Sequence, residues 1–188
     1  FAVKREQFVP NAYRALAFSD TEIPLGNSAS MLAPKFEARA MQALQVKSHE
    51  KVLEVGTGSG YMAALLAAHA SQVWSIEIDP TLAETARGNL QRAGIGNVSV
   101  QTADGLAGLP AHAPYDVIML SGGVESVPAE LLAQLKPGGR LFAFVGTDPV
   151  MEAQLITRID ETAYRTESIF ETVVPMLKNA VAASRFTF

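Results

Sequence analysis

A chain of 188 residues with 48% hydrophobic and 18% charged side chains suits one domain with a sizeable core and is too apolar for a disordered protein. Fifteen Lys and Arg against 19 Asp and Glu leave a formal charge of −4, which argues against a broad nucleic-acid face. The absence of cysteine excludes disulfides, thiolate metal sites and a cysteine nucleophile together.

Residues 1–50 read as a mostly helical lead-in, broken at Pro10, Pro24, Gly26 and Pro34. The chain opens on Phe1 rather than Met, so a native segment before it is expected. From Lys51 onward, short β-rich runs alternate with helical ones. Strands are predicted at 51–55, 73–77, 98–101, 115–120 and 140–145, and helices at 61–70, 80–92 and 128–135. Pro80 suits a first helical turn, where its missing N–H costs nothing, and Gly94 and Gly96 supply the stop. The turn Lys136-Pro137-Gly138-Gly139 leads into the fifth strand. Residues 151–159 and 167–174 read as two more strands joined by a short turn, hence an antiparallel hairpin at the sheet edge. Strands separated by helices imply right-handed crossovers and a parallel sheet covered on both faces. The expected fold is a doubly wound α/β domain over residues 1–188: a lead-in (1–50), a βαβ core (51–145), and a C-terminal hairpin and tail (146–188). Its sheet is seven-stranded and mainly parallel.

The longest uncharged stretch, residues 56–76, has spanning length. Its three glycines, four Ser/Thr residues, one His and one Gln make it loop, helix and buried strand instead. No membrane association is expected. His49, His69 and His112 lack metal-ligand spacing, so no metal site is expected either.

Chemistry concentrates at Glu54-Val55-Gly56-Thr57-Gly58-Ser59-Gly60, between a strand and a helix. Glycines there allow a sharp turn and let a ligand lie against the backbone. Glu77 ends the next strand roughly 20 positions after Gly56, where an acidic residue meets ribose hydroxyls in nucleotide-binding α/β folds. No Gly-Lys-Ser/Thr follows, which excludes a phosphate-binding loop of the Walker type. Dinucleotides favour G-x-G-x-x-G; here the spacing is G-x-G-x-G with Glu54 directly before it. A carboxylate at that place suits the ammonium and sulfonium charges of S-adenosylmethionine better than a pyrophosphate. Asp104-Gly105, after the third strand, adds a second acidic loop at the same sheet edge, where adenine would lie. The expected cofactor set is Glu54, Gly56, Thr57, Gly58, Gly60, Glu77, Ile78, Asp104 and Gly105.

Several runs, taken in order, resemble protein-L-isoaspartate O-methyltransferases. They are Leu25-Gly26, Val52 to Tyr61, Ile76-Glu77-Ile78-Asp79-Pro80, Asp104-Gly105, Ala113-Pro114-Tyr115-Asp116 and Leu135 to Leu141. The resemblance extends from about Phe8 to Pro175. It implies a cytoplasmic enzyme that uses S-adenosylmethionine to esterify isoaspartyl carboxylates in damaged proteins. The implied partner is a protein or peptide bearing that carboxylate, met by a monomer with no nucleic acid involved. One segment departs from the family pattern. At Ser30-Met31-Leu32-Ala33-Pro34-Lys35, Ser30 and Pro34 match, but Leu32 stands where the family's catalytic serine is implied. Ser30 becomes the candidate catalytic residue, with cofactor contact and helix capping as its other readings. Lys35 either pairs with a substrate carboxylate or sits as a solvated charge. Ser121-Gly122-Gly123 reads as a strand-terminal turn, with ligand contact as the other reading of Ser121, and Asp116 and Trp74 read as structural. The departure leaves two alternatives open: a methyltransferase for another small acid or nucleophile, or a cofactor-binding homologue with little catalysis.

Overall fold

The structure, a computed structural model, describes residues 3–180. Two 3-10 turns, Arg5–Gln7 and Asn11–Leu16, precede a hairpin of β1 (Ile23–Gly26) and β2 (Ala29–Met31). Helix α1 (Pro34–Leu44) follows. Beside these helical segments the lead-in holds a hairpin that was not expected: Pro24 and Gly26, read as breaks, lie within β1. Asn27 and Ser28 both take positive φ (52° and 61°) and turn the chain back on itself, the backbone a two-residue hairpin needs.

The core then runs β3 (Lys51–Val55), α2 (Tyr61–Ala67), β4 (Gln72–Glu77), α3 (Pro80–Arg92), β5 (Val98–Thr102), β6 (Tyr115–Val124), α4 (Ala129–Ala133) and β7 (Leu135–Thr147). It ends in the hairpin β8 (Val150–Arg158) and β9 (Tyr164–Glu171). Asp79 caps α3 by accepting the N–H groups of Thr81 (2.8 Å) and Leu82 (3.2 Å), with Pro80 in the first turn. The seven strands lie in the order β5-β4-β3-β6-β7-β8-β9. The first five are parallel, while β8 and β9 are antiparallel. The strand order reverses between β3 and β6, which opens a crevice at their carboxyl ends.

Both sheet faces are covered, as the unbroken apolar strands require. Val52, Val117, Met119 and Phe142 pack under α1 and α2, while Leu53, Ile118, Leu120 and Leu141 meet α4 on the opposite face. A third cluster seats the lead-in: Phe8, Val9 and Ile23 pack with Ala64 and Leu90 from α2 and α3. Strand β6 runs through Ser121-Gly122-Gly123, which the sequence reading took for a terminal turn. The backbone stays extended there because residues 175–177 pair with it. Gly123 N–H donates to Pro175 O, and Leu177 N–H donates to Gly123 O, both at 2.8 Å. No helix among the described residues is long and apolar enough to cross a membrane.

Candidate active site

The crevice floor is the β3–α2 turn. Gly56, Gly58 and Gly60 all hold positive φ (93°, 53° and 87°), which disfavours any residue with a Cβ. Gly56 N–H donates to Ile76 O at 2.9 Å, tying the turn to the end of β4. Glu77 closes it from above: one carboxylate oxygen accepts Gly58 N–H at 2.8 Å and the other accepts Asp79 N–H at 3.0 Å. Each oxygen keeps a lone pair, so the carboxylate can still accept two vicinal hydroxyls.

Glu54 lies elsewhere than expected. Its side chain is fully buried behind the turn, where it accepts Ser75 Oγ–H at 2.6 Å and Ser121 Oγ–H at 2.8 Å. Thr57 Oγ1 extends the network to Ser75 at 2.5 Å. Burial pushes the Glu54 carboxyl up to about 8. It binds β3, β4 and β6 together and is absent from the lining of the cavities on either side of the turn.

Those two cavities, each about 30 Å³, flank Gly56. One is bounded by Ile78, Asp104 and Gly105, with Leu177 and Lys178 as its roof. Leu177 Cδ2 comes within 2.8 Å of where a Cβ on Gly56 would stand. Asn179 donates to Asp104 Oδ2 at 2.9 Å, and Lys178 Nζ lies 3.6 Å from Asp79 Oδ2. The other cavity, across the turn, is bounded by Ser30, Leu32, Glu37, Gly58, Tyr61 and Ser121.

A buried arginine organises that second wall. Arg5, 2% exposed, donates from Nε to Ala17 O (2.8 Å), from Nη2 to Leu32 O (2.9 Å), and from Nη1 to the Glu37 carboxylate. Its guanidinium also stacks over the Tyr61 ring at 4.9 Å.

The chain has the family's sequence profile along nearly its whole length. The profile described as protein-L-isoaspartate(D-aspartate) O-methyltransferase (PCMT) matches residues 1–179. The chain belongs to this family. A Marinobacter nauticus relative, "Protein-L-isoaspartate O-methyltransferase 2", is 44% identical over 177 residues, covering 93% of this chain and 81% of its own. A Myxococcus xanthus protein-L-isoaspartate O-methyltransferase is 39% identical, with coverages of 93% and 84%. A solved protein-L-isoaspartate O-methyltransferase superposes with a TM-score of 0.84 at 28% identity, over 93% of this chain and 58% of its own. A Plasmodium falciparum structure, described as a putative family enzyme in complex with S-adenosyl-L-homocysteine, shares the fold. Its TM-score is 0.79 at 19% identity, with coverages of 94% and 87%.

Against the family pattern, the sequence expectations divide clearly. Gly56, Thr57 and Gly58 line the cavity on one side of the turn, and Gly56, Ile78, Asp104 and Gly105 that on the other; Glu77 reaches the turn through Gly58 N–H, and Gly60 packs against Ala86. Ser30 lies in β2 and lines the second cavity, but it caps nothing: Ala33 is the N-cap residue of α1. Lys35 pairs with Asp20 at 2.9 Å on the open surface, the solvated reading. Trp74 stacks on His112, 4.8 Å between centroids, and Asp116 secures Lys51 N–H and Lys136. Sequence reasoning missed Arg5, Glu37 and Leu177. All three matter through contacts far along the chain, which leave no local signal in the sequence.

Proposed function

We propose that this chain binds S-adenosylmethionine at the β3–α2 turn and methylates the free carboxylate of isoaspartyl residues in proteins or peptides. The observation that carries the reading is the Glu77 clamp on Gly58, set in a positive-φ glycine turn of a family member. The residues present fit the cofactor. Glu77 retains lone pairs for the ribose diol, Ile78, Asp104 and Gly105 line an adenosine-side cavity, and the three glycines leave the backbone open. Leu177 and Lys178 must lift to admit an adenine ring, because about 30 Å³ holds only two or three water-sized groups.

When bound, S-adenosylmethionine supplies a methyl carbon already activated by its sulfonium. The acceptor carboxylate, with an ordinary pKa near 4, is ionised at neutral pH and needs no general base. What the protein contributes is proximity and orientation. The cavity bounded by Ser30, Glu37 and Ser121 is the acceptor side, adjoining the turn and walled off by the lead-in.

The test is a pair of peptides identical except for isoaspartate or aspartate at one position, incubated with methyl-labelled cofactor. The expected product is a base-labile methyl ester on the isoaspartyl peptide alone. No label on that peptide, despite calorimetric binding of S-adenosylhomocysteine, would falsify the proposal.

A further inference from the structure

A groove of about 610 Å³ runs between the lead-in and α3. Phe8, Val9 and Leu82 line it with apolar surface, and Gln7 and Asn11 with amides. Leu25 and Ser59 belong to both this groove and the acceptor cavity, so the two adjoin across them. The groove also holds an unanswered charge. Glu6 lies on its wall, half-buried, and its Oε2 is the one side-chain polar atom among the described residues shut from solvent without a hydrogen-bond partner. The neighbouring cation does not answer it, because the Arg5 guanidinium is engaged by Glu37. Arg14 and Arg92 line the same groove, yet neither forms an ion pair with Glu6. A carboxylate desolvated on one oxygen and paired by nothing on the other draws a cationic donor to the oxygen it still presents.

We propose that this groove holds the stretch of acceptor polypeptide flanking the isoaspartyl residue, and that Glu6 receives a basic side chain of that stretch. This rests on the isoaspartyl reading above. A protein acceptor must leave the cavity as a continuing chain, and the groove that adjoins the cavity offers it amide partners and apolar contact together. An extended chain advances about 3.3 Å per residue, so residues roughly two to four positions from the isoaspartate reach past Leu25 and Ser59. Arg14 and Arg92 repel further positive charge, which makes the preference one for a single basic residue at a fixed place and not for a basic peptide in general.

The experiment uses isoaspartyl peptides carrying one lysine, or norleucine as its uncharged counterpart, at each position from two to four residues on either side. With wild type, lysine at one position or two adjacent ones should raise kcat/KM about threefold to fivefold over norleucine, through KM. Glu6→Gln should abolish that difference, and Glu6→Lys should turn it into a preference for glutamate at the same position. Thr85→Trp fills the groove from the exposed side of α3. It should raise KM for the long peptides about tenfold, while an isoaspartyl tripeptide, too short to reach the groove, and S-adenosylhomocysteine affinity each change less than about twofold. Fluorescence anisotropy of labelled peptide on the S-adenosylhomocysteine-loaded protein should follow the same order without turnover. No lysine preference at any position, a preference that survives Glu6→Gln, or a Thr85→Trp effect equal on long and short peptides each overturns the proposal. Wild type failing on every isoaspartyl peptide overturns the function itself and this inference with it. Active wild type with indifferent Glu6 and Thr85 variants overturns the inference alone.

Discussion

Replacing Glu54 with glutamine isolates the electrostatic character of the buried network behind the turn. Glu54 titrates near 4.5 when unfolded and near 8 in the fold, because burial disfavours its charge more than two serine hydroxyls favour it. Between those values the folded chain holds a proton that the unfolded chain has released. The contribution of Glu54 to stability is thus fully present below about 4.5 and lost as pH rises through about 8. The slope is about 1.4 kcal/mol per pH unit, so moving from pH 5.5 to 7.5 removes about 3 kcal/mol. Glutamine has no such proton to lose. Its amide can donate to Ser121 Oγ once that hydroxyl turns away, at a pH-independent cost of about 1 kcal/mol. Urea unfolding of both proteins across this range is the assay. The variant should gain on wild type by about 3 kcal/mol between the two ends, and Glu37, present in both, largely cancels in the comparison. A difference that stays flat with pH would refute a neutral Glu54.

Two further changes probe the cofactor side. Glu77→Ala should weaken S-adenosylhomocysteine binding about tenfold or more by calorimetry, since the ribose hydroxyls and Gly58 N–H lose a shared acceptor; unaltered affinity would misplace the ribose. Gly105→Ala puts a Cβ 2.5 Å from Val55 Cγ1, inside the core end of β3. Overpacking of this kind should cost about 1–3 kcal/mol in urea unfolding and weaken cofactor binding in parallel.

The βαβ core was legible in the sequence because its signals are local. Asp79-Pro80 announces the start of α3, the alternation of apolar strands and helices gives a doubly covered sheet, and the glycine run marks the turn. The β1–β2 hairpin was not, since Pro24 and Gly26 read as breakers and the turn is Asn-Ser rather than Asn-Gly. Glu54 illustrates a different limit. Its position beside the turn was correct, but the face it takes is set by Ser75 and Ser121, which lie 21 and 67 residues away. Glu37 was passed over because one acid in a helix reads as solvated. Its burial depends on Arg5, 32 residues upstream, a pairing that no local pattern reveals. Leu177 reaches Gly56 only because residues 175–177 pair with the end of β6.

Arg5 also has a consequence for re-engineering. One guanidinium holds the carbonyls of Ala17 and Leu32, the Glu37 carboxyl and the Tyr61 ring, so four parts of the chain share one fastening. The acceptor wall is therefore not an interchangeable loop. Transplanting residues 29–37 from a relative would bring a new Leu32 carbonyl and a new residue 37 to an arginine shaped for the old ones. A working graft must carry residues 5–17 along with the wall, as a single heritable module.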